Sequence, residues 1–183
     1  MRTLAVTQNI TVDGAVEMLG DWFDPGTQDE ELSEATRRHS ERGDALLLGR
    51  QTFEDFRGYW PGQTDDRTGV TDVLNRVHKY VVSSTLTDAG WQNSTILSGD
   101  WLDQVAQLKQ QPGKDIGVTG SIRLCHALIR AGLVDEYRLF VYPVVAGKGA
   151  RLFGGDGTSR QAGLRLAEAR PFRSGVVLLR YRT

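Results

Sequence analysis

The stretch Asp44-Ala45-Leu46-Leu47-Leu48-Gly49-Arg50-Gln51-Thr52-Phe53-Glu54 decides the fold class. Its first half is a short apolar run, which suits a strand buried on both faces, as a parallel sheet requires. Its second half passes through a glycine to an arginine, then to a hydroxyl at the start of a short helix. In an open α/β sheet, ligands bind beyond the carboxyl ends of the strands. Amide N–H groups and the helix dipole at such a turn attract phosphate, and Arg50 can add a bidentate clamp. The competing reading makes Arg50 a surface charge and Thr52 an N-cap, and this turn taken alone leaves both open.

Working outward, similar runs recur at residues 79–82, 95–97 and 116–119, with helical stretches predicted over 72–78, 101–110 and 121–131. Gly132 is a good residue to stop the last of these. Upstream, residues 4–7 read as a first strand, followed by a polar loop holding Asp13, Gly14 and Gly20. Thr27 and Glu30 make a capping-box pattern, and the helix after them is predicted to run to Arg42 with Gly43 as its stop. After Gly132, residues 136–142, 164–169 and 176–181 read as strands without intervening helices. The expected architecture is one α/β domain over residues 1–183. Its mostly parallel central sheet is flanked by helices and finished by antiparallel C-terminal strands.

Composition fits that domain. At 183 residues, 39% apolar and 25% charged, the chain is long enough to bury a core and too apolar to be disordered. A formal net charge of -1 gives no whole-protein field for nucleic acid or an anionic membrane. The single cysteine, Cys125, excludes an intramolecular disulfide and suits a reducing compartment. The N-terminal residues turn polar too early for a signal peptide, and no apolar run approaches the ~20 residues that span a bilayer. The expected compartment is the cytoplasm.

Two further strand ends carry polar turns. Val82-Ser83-Ser84-Thr85 sets three hydroxyls in a row, which can contact a ribose or phosphate or simply form a turn. Val118-Thr119-Gly120-Ser121-Ile122 again runs a strand into glycine before a helix N-terminus, where a pyrophosphate can approach the backbone. Three such ends in one small sheet suit a dinucleotide, which has several phosphate and sugar groups to hold. The Gly-x-Gly-x-x-Gly fingerprint and the Walker-type Gly-Lys-Ser/Thr are absent. Gly147-Lys148-Gly149 and Gly154-Gly155-Asp156-Gly157 read as loop formers.

His39, His78 and His126 are scattered, without metal-ligand spacing, so no metal is expected. The first two are predicted near helix ends in solvated or capping roles. Cys125 reads as buried filler rather than a nucleophile. Trp22 is a candidate pocket-lining residue, and Trp60, Trp91 and Trp101 are packing candidates.

In this order, the motifs resemble the dihydrofolate reductase superfamily. The similarity is strongest to the branch that includes the reductase domain of the bifunctional riboflavin-biosynthesis deaminase/reductase. The resemblance rests on Thr11-Val12-Asp13-Gly14, Leu48 to Glu54, Lys79 to Thr85 and Val118 to Ser121. Gly132-Leu133-Val134-Asp135-Glu136, Pro143 to Gly149 and Leu152-Phe153 match the riboflavin-type branch. It implies NADPH as cofactor, with Arg50 and Ser83 or Ser84 around the adenosine 2′-phosphate, and Thr85 completing the hydroxyl cluster. It implies Gly49, Thr52, Gly120, Ser121 and Ile122 at the pyrophosphate, and Thr7, Asp13, Gly14, Leu19 and Gly20 near the nicotinamide. A homodimer is also implied.

Dihydrofolate reductases proper carry a pocket carboxylate on the helix after the first loop. Asp24, Asp29, Glu30 and Glu34 all stand in that region, and the sequence singles out none. The zinc-binding cysteines of the riboflavin enzyme's deaminase domain do not occur here. The expected reaction is hydride transfer from NADPH to a C=N or C=O of a small heterocycle, such as 5-amino-6-(5-phosphoribosylamino)uracil. Asp13, an acid of the first helix or water would supply the proton. The alternatives are an NADPH-binding regulatory protein without turnover, or a dihydrofolate reductase-like enzyme with another substrate.

Overall fold

The computed structural model describes residues 1–24, 30–66, 69–154 and 163–183. Its strands are β1 (Leu4–Thr11), β2 (Gly43–Gly49), β3 (His78–Val82), β4 (Ser94–Leu97), β5 (Asp115–Val118), β6 (Glu136–Tyr142), β7 (Arg165–Pro171) and β8 (Val177–Arg182). They form one eight-stranded sheet of order β4-β3-β2-β5-β1-β6-β8-β7. The first six strands in that order pair in parallel, and β8 runs antiparallel to both β6 and β7. Five α-helices accompany the sheet among the described residues: α1 (Glu30–Glu41), α2 (Arg50–Tyr59), α3 (Val70–Arg76), α4 (Trp101–Gln110) and α5 (Ile122–Arg130). None is long and apolar enough to cross a membrane.

The parallel strands form where the sequence is apolar on both faces. Leu47 and Leu48, on opposite faces of β2, are completely buried because helices cover both sides of the sheet there, and Ile116 and Val118 of β5 are buried on one face. On one face, Leu4, Val6, Leu47, Ile116, Val118 and Leu139 pack with Leu124, Cys125 and Leu128 of α5 and Val105 and Leu108 of α4. The buried residues of α5, Leu124, Cys125 and Leu128, fall at the i, i+1, i+4 positions of one face, so a single stripe of that helix meets the sheet.

The opposite face carries two separate apolar clusters. Leu32 and Ala35 of α1 pack over β6 and β8 on Phe140 and Leu178. Phe53 of α2 and Leu74 of α3 pack over β2 and β3 on Leu48 and Val81. Between the clusters lie β1 and β5, which no helix among the described residues covers on this side. This gap is the cleft.

Three sequence-based expectations change. Strand β1 extends to Thr11 because β6 pairs with it as far as Tyr142. Helix α1 ends at Glu41, and Gly43 opens β2 instead of stopping the helix. His78 is the first residue of β3, with its ring on the Thr95 hydroxyl at 2.9 Å. Thr27 of the capping box lies outside the described residues, whereas Glu30 and Glu31 do occupy the first turn of α1.

An ion network ties α1, β5, β6 and β8 together beneath the cleft. Glu136, 1% exposed, accepts from Arg138 at 2.7 Å, Arg182 at 3.2 Å and Arg180 at 3.3 Å. Arg138 also binds Asp115 and donates to the His39 carbonyl at 3.4 Å. Burial alone would raise the Glu136 carboxyl pKa, but these guanidiniums hold it below the usual range. His39 is half-buried rather than solvated, edge-on to Phe140, and burial beside Arg138 lowers its pKa to about 4. Removing one member of a buried pair leaves the other charge unpaired, which costs about 3–5 kcal/mol. Urea denaturation of Glu136→Leu is expected to show a loss of that size, whereas a loss below about 1 kcal/mol would mean that the network is not holding the sheet.

Candidate active-site cleft

Helices α2 and α5 start at the carboxyl ends of the neighbouring strands β2 and β5, and a pair of hydroxyls joins their N-termini. The Thr52 and Ser121 hydroxyl oxygens lie 2.8 Å apart. Ser121 Oγ accepts the Gly49 N–H at 2.8 Å, and Thr52 Oγ1 accepts the Ser121 N–H at 3.1 Å. Only one of the two hydroxyl protons can lie in the bond between the oxygens. Whichever residue donates it, the other hydroxyl keeps a proton with no acceptor among the described residues. An acceptor-only group such as a phosphate oxygen is the natural partner.

The close approach depends on Gly120. At φ +61 its backbone is left-handed, and a Cβ there would meet Thr52 Cγ2 at 3.0 Å. Ser121 follows in the same region at φ 52. Neither α2 nor α5 has a side-chain cap, so their first-turn N–H groups are available at the joint.

Charge in the helix first turns distinguishes this pair. Acids occupy the first turn of α1, α3 and α4, as the helix dipole favours. Helices α2 and α5 have none there and carry Arg50 and Arg123 instead. A cation at a helix N-terminus works against folding, so both arginines make sense as anion ligands. Sequence reasoning missed Arg123, although a basic residue just after a strand-glycine-helix turn is the signal that finds it. Arg50 pairs with Glu54 on the surface at 2.8 Å, a weak i,i+4 contact from which it can swing away. Ile122 starts α5 with its side chain packed against the main core.

At the end of β3, Ser83 uses its hydroxyl to accept the Thr85 and Leu86 amides, so here the turn-forming reading is the observed one. Ser84 and Thr85 are exposed beside it. On β1, Thr7 lies on the cleft face. Gly14, Leu19 and Gly20 lie in the loop beyond β1, with Leu19 43% exposed.

Asp13 is not poised to donate a proton. Its carboxylate takes the Thr11 hydroxyl at 2.6 Å and the Ala146 and Gly147 amides at 3.0 Å each. Those three donors, the hydroxyl foremost, lower its pKa to about 2, so it is ionised near neutrality. The side chain is a latch between the first loop and the loop after β6. Glu17 adds to it by accepting the Ala150 amide at 2.9 Å.

No acid of α1 faces the sheet among the described residues. The inward positions are Leu32, Ala35 and His39, and Glu34 is paired on the surface with Arg37 and Arg38. Glu30 is exposed, and Asp29 lies outside the described residues. Trp22 and Asp24 line a cavity of about 320 Å³ with Leu32, Tyr142 and Val176, so Trp22 does line a pocket. Trp91 is a core residue. Cys125 is fully buried, with its thiol pushed up to about 11 by burial, and acts as filler.

This arrangement defines an α/β domain of the dihydrofolate reductase type. The chain belongs to the family described as RibD C-terminal domain, whose family model matches residues 2–178. It is 36% identical over 141 residues to the uncharacterized protein YyaP of Bacillus subtilis (strain 168), covering 75% of this chain and 73% of that protein. Among solved structures, it is similar to a putative riboflavin biosynthesis protein from Shewanella sp. PV-4, with a TM-score of 0.72 at 18% identity over 98% of both chains. It is also similar to a deaminase/5-amino-6-(5-phosphoribosylamino)uracil reductase from Thermotoga maritima, with a TM-score of 0.68 at 14% identity. That match covers 99% of this chain and 56% of the other. The expected family and fold are therefore observed. The family is one of reductase domains that normally use a nicotinamide cofactor.

The Asp13 latch has a defined pH window. It is fully engaged above the ordinary aspartate pKa of about 3.9 and is lost as pH falls through about 2. At neutral pH, Asp13→Asn is expected to speed hydrogen exchange at the Ala146 and Gly147 amides. Unchanged exchange at both would show that the carboxylate does not hold the loop.

Proposed function

We propose that the protein is an NADPH-dependent reductase that transfers hydride to a C=N or C=O bond of a small heterocycle. The observation that carries this reading is the joint of α2 and α5. Two uncapped helix N-termini meet there with an orphan hydroxyl donor, and each has an arginine in the position least favourable for its own helix. These groups fit a pyrophosphate, bridging the first-turn amides of Arg50–Thr52 and Ile122–Leu124, with Thr52 or Ser121 giving the remaining O–H. Gly49 and Gly120 let the chain come close enough. Arg50, beside Ser84 and Thr85, would take the adenosine 2′-phosphate, which favours NADPH over NADH.

When bound, the nicotinamide supplies the hydride. The chain's own part is to hold the two reactants in register and keep bulk water from the cleft. Thr7, Gly14, Leu19 and Gly20 would border the ring, with the first loop fixed by Asp13. With Asp13 ionised and Asp115 committed to Arg138, the proton would come from water. A riboflavin-pathway substrate of the 5-amino-6-(5-phosphoribosylamino)uracil type is consistent with the name of the Thermotoga relative. Homodimerisation belongs to the same proposal and is supported by Leu164 and Leu166 standing exposed around the edge strand β7. Light scattering would read it.

Tryptophan-emission titrations with NADPH and NADH test the cofactor assignment. Arg50→Ala is expected to weaken NADPH by about 1.5–3 kcal/mol and leave NADH nearly unchanged, whereas Arg123→Ala is expected to weaken both alike. Equal affinity of the wild type for the two cofactors, or no binding of either, would overturn the 2′-phosphate assignment.

A further inference from the structure

The floor of the cleft has its own chemistry. β1 is an interior strand, paired with β5 on one side and β6 on the other, so its side chains are expected to be covered. On the cleft face, Ala5 is fully buried and Thr11 is 1% exposed. Thr7 and Asn9, between them, remain partly exposed. The opening above β1 is therefore two residues long, between the α1 cluster and the α2/α3 cluster.

Asn9 lies at the level of the phosphate-binding joint. The preceding residue, Gln8, points to the opposite face and donates to the Gly120 carbonyl at 3.1 Å. Asn9 thus sits one residue from the strand's contact with the cofactor turn. Its carboxamide makes no hydrogen bond to another described residue, although an amide offers two donors and an acceptor. Polar groups facing a binding cleft without a protein partner are available to a ligand.

The shape of that offer is specific. A carboxylate beside such a cleft would match an amidinium edge, with two N–H donors and a positive charge. The inward positions of α1 hold Leu32, Ala35 and His39 instead of an acid. A carboxamide matches an edge with one N–H and one C=O side by side, accepting from the first and donating to the second. Lactams, imides and ureides present such an edge.

We infer that Asn9 is the specificity-determining residue, pairing with the N–H/C=O edge of a lactam-, imide- or ureide-bearing heterocycle bound over β1. This rests on the reductase reading for the place of the cofactor and adds the residue that selects the substrate. The pairing is neutral and needs two bonds at once, so a ligand with a protonated amidinium edge leaves two donors facing each other. A site built to hydrogen-bond one edge rejects an analogue lacking it strongly, because its polar groups are then left unpaired.

The test uses NADPH-loaded protein titrated calorimetrically, in mildly acidic buffer, with 5,6-diaminouracil, which has an imide edge, and with 2,4-diaminopyrimidine, whose protonated ring then presents an amidinium edge. Wild type is expected to bind the uracil about tenfold or more tighter, the size of one to two neutral hydrogen bonds. Asn9→Leu should lose that preference without gaining the pyrimidine, and Asn9→Asp should reverse it. NADPH affinity, measured separately, should stay within about twofold in both variants.

Equal binding of the two probes to wild type, no binding of the uracil probe, or an unchanged preference in Asn9→Asp would overturn the inference. So would a loss of NADPH affinity in Asn9→Leu, which would put the carboxamide against the nicotinamide. Failure of the cofactor reading shows separately as absent NADPH binding to wild type, and the same probe titrations on the unloaded protein then decide the role of Asn9.

Discussion

The hydroxyl pair of Thr52 and Ser121 is the contact on which the cleft depends. It brings the N-termini of two helices together, although their dipoles and first-turn arginines repel one another. In the protein alone, this arrangement opposes folding. The cores beneath it compensate: Phe53 anchors α2, and Leu124, Cys125 and Leu128 anchor α5. Strain of this kind persists where the surrounding packing over-determines it, and it clusters at functional sites. The left-handed backbone of Gly120 and Ser121 belongs to the same picture, because an ordinary turn would hold the two helices apart.

The strands were legible where burial is two-sided. The run at β2 and the stretch forming β6 read directly, since a strand covered on both faces has no polar period to obscure it, and β3 and β5 read from their short apolar pairs. The end of β1 was not legible. Gln8 and Asn9 break the apolar run, yet Gln8 is buried by its bonds to Gly120 and Cys125, and Asn9 faces the cleft. Polar residues in an interior strand looked like the start of a loop because their partners come from distant parts of the chain. Gly43 misled for a related reason. A glycine after a helical stretch usually stops the helix, but here the next strand begins at once.

The candidate site was legible as three turns, but not as one joint. Gly49, Thr52, Gly120 and Ser121 could be picked out individually from strand-glycine-helix patterns. That Thr52 and Ser121 bond to each other, 69 positions apart, is a consequence of the sheet order that sets β5 beside β2. Asp13 was legible as a conspicuous acid next to a glycine and illegible in its role. The amides it binds lie more than 130 residues away, and those bonds make it a latch rather than a proton donor. Ser83 likewise shapes its turn by accepting two amides, while its own O–H, with the exposed hydroxyls of Ser84 and Thr85, is open to a ligand.

The proposed selectivity of the site rests on the arginines at the joint, the acid-free inner face of α1 and the carboxamide of Asn9. The joint can be examined directly through its amides. Hydrogen–deuterium exchange of the wild-type protein with and without saturating NADPH should show new protection at both Arg50–Thr52 and Ile122–Leu124. NADPH binding that leaves either set unprotected would contradict the account, because the pyrophosphate would then lie somewhere other than between the two helices.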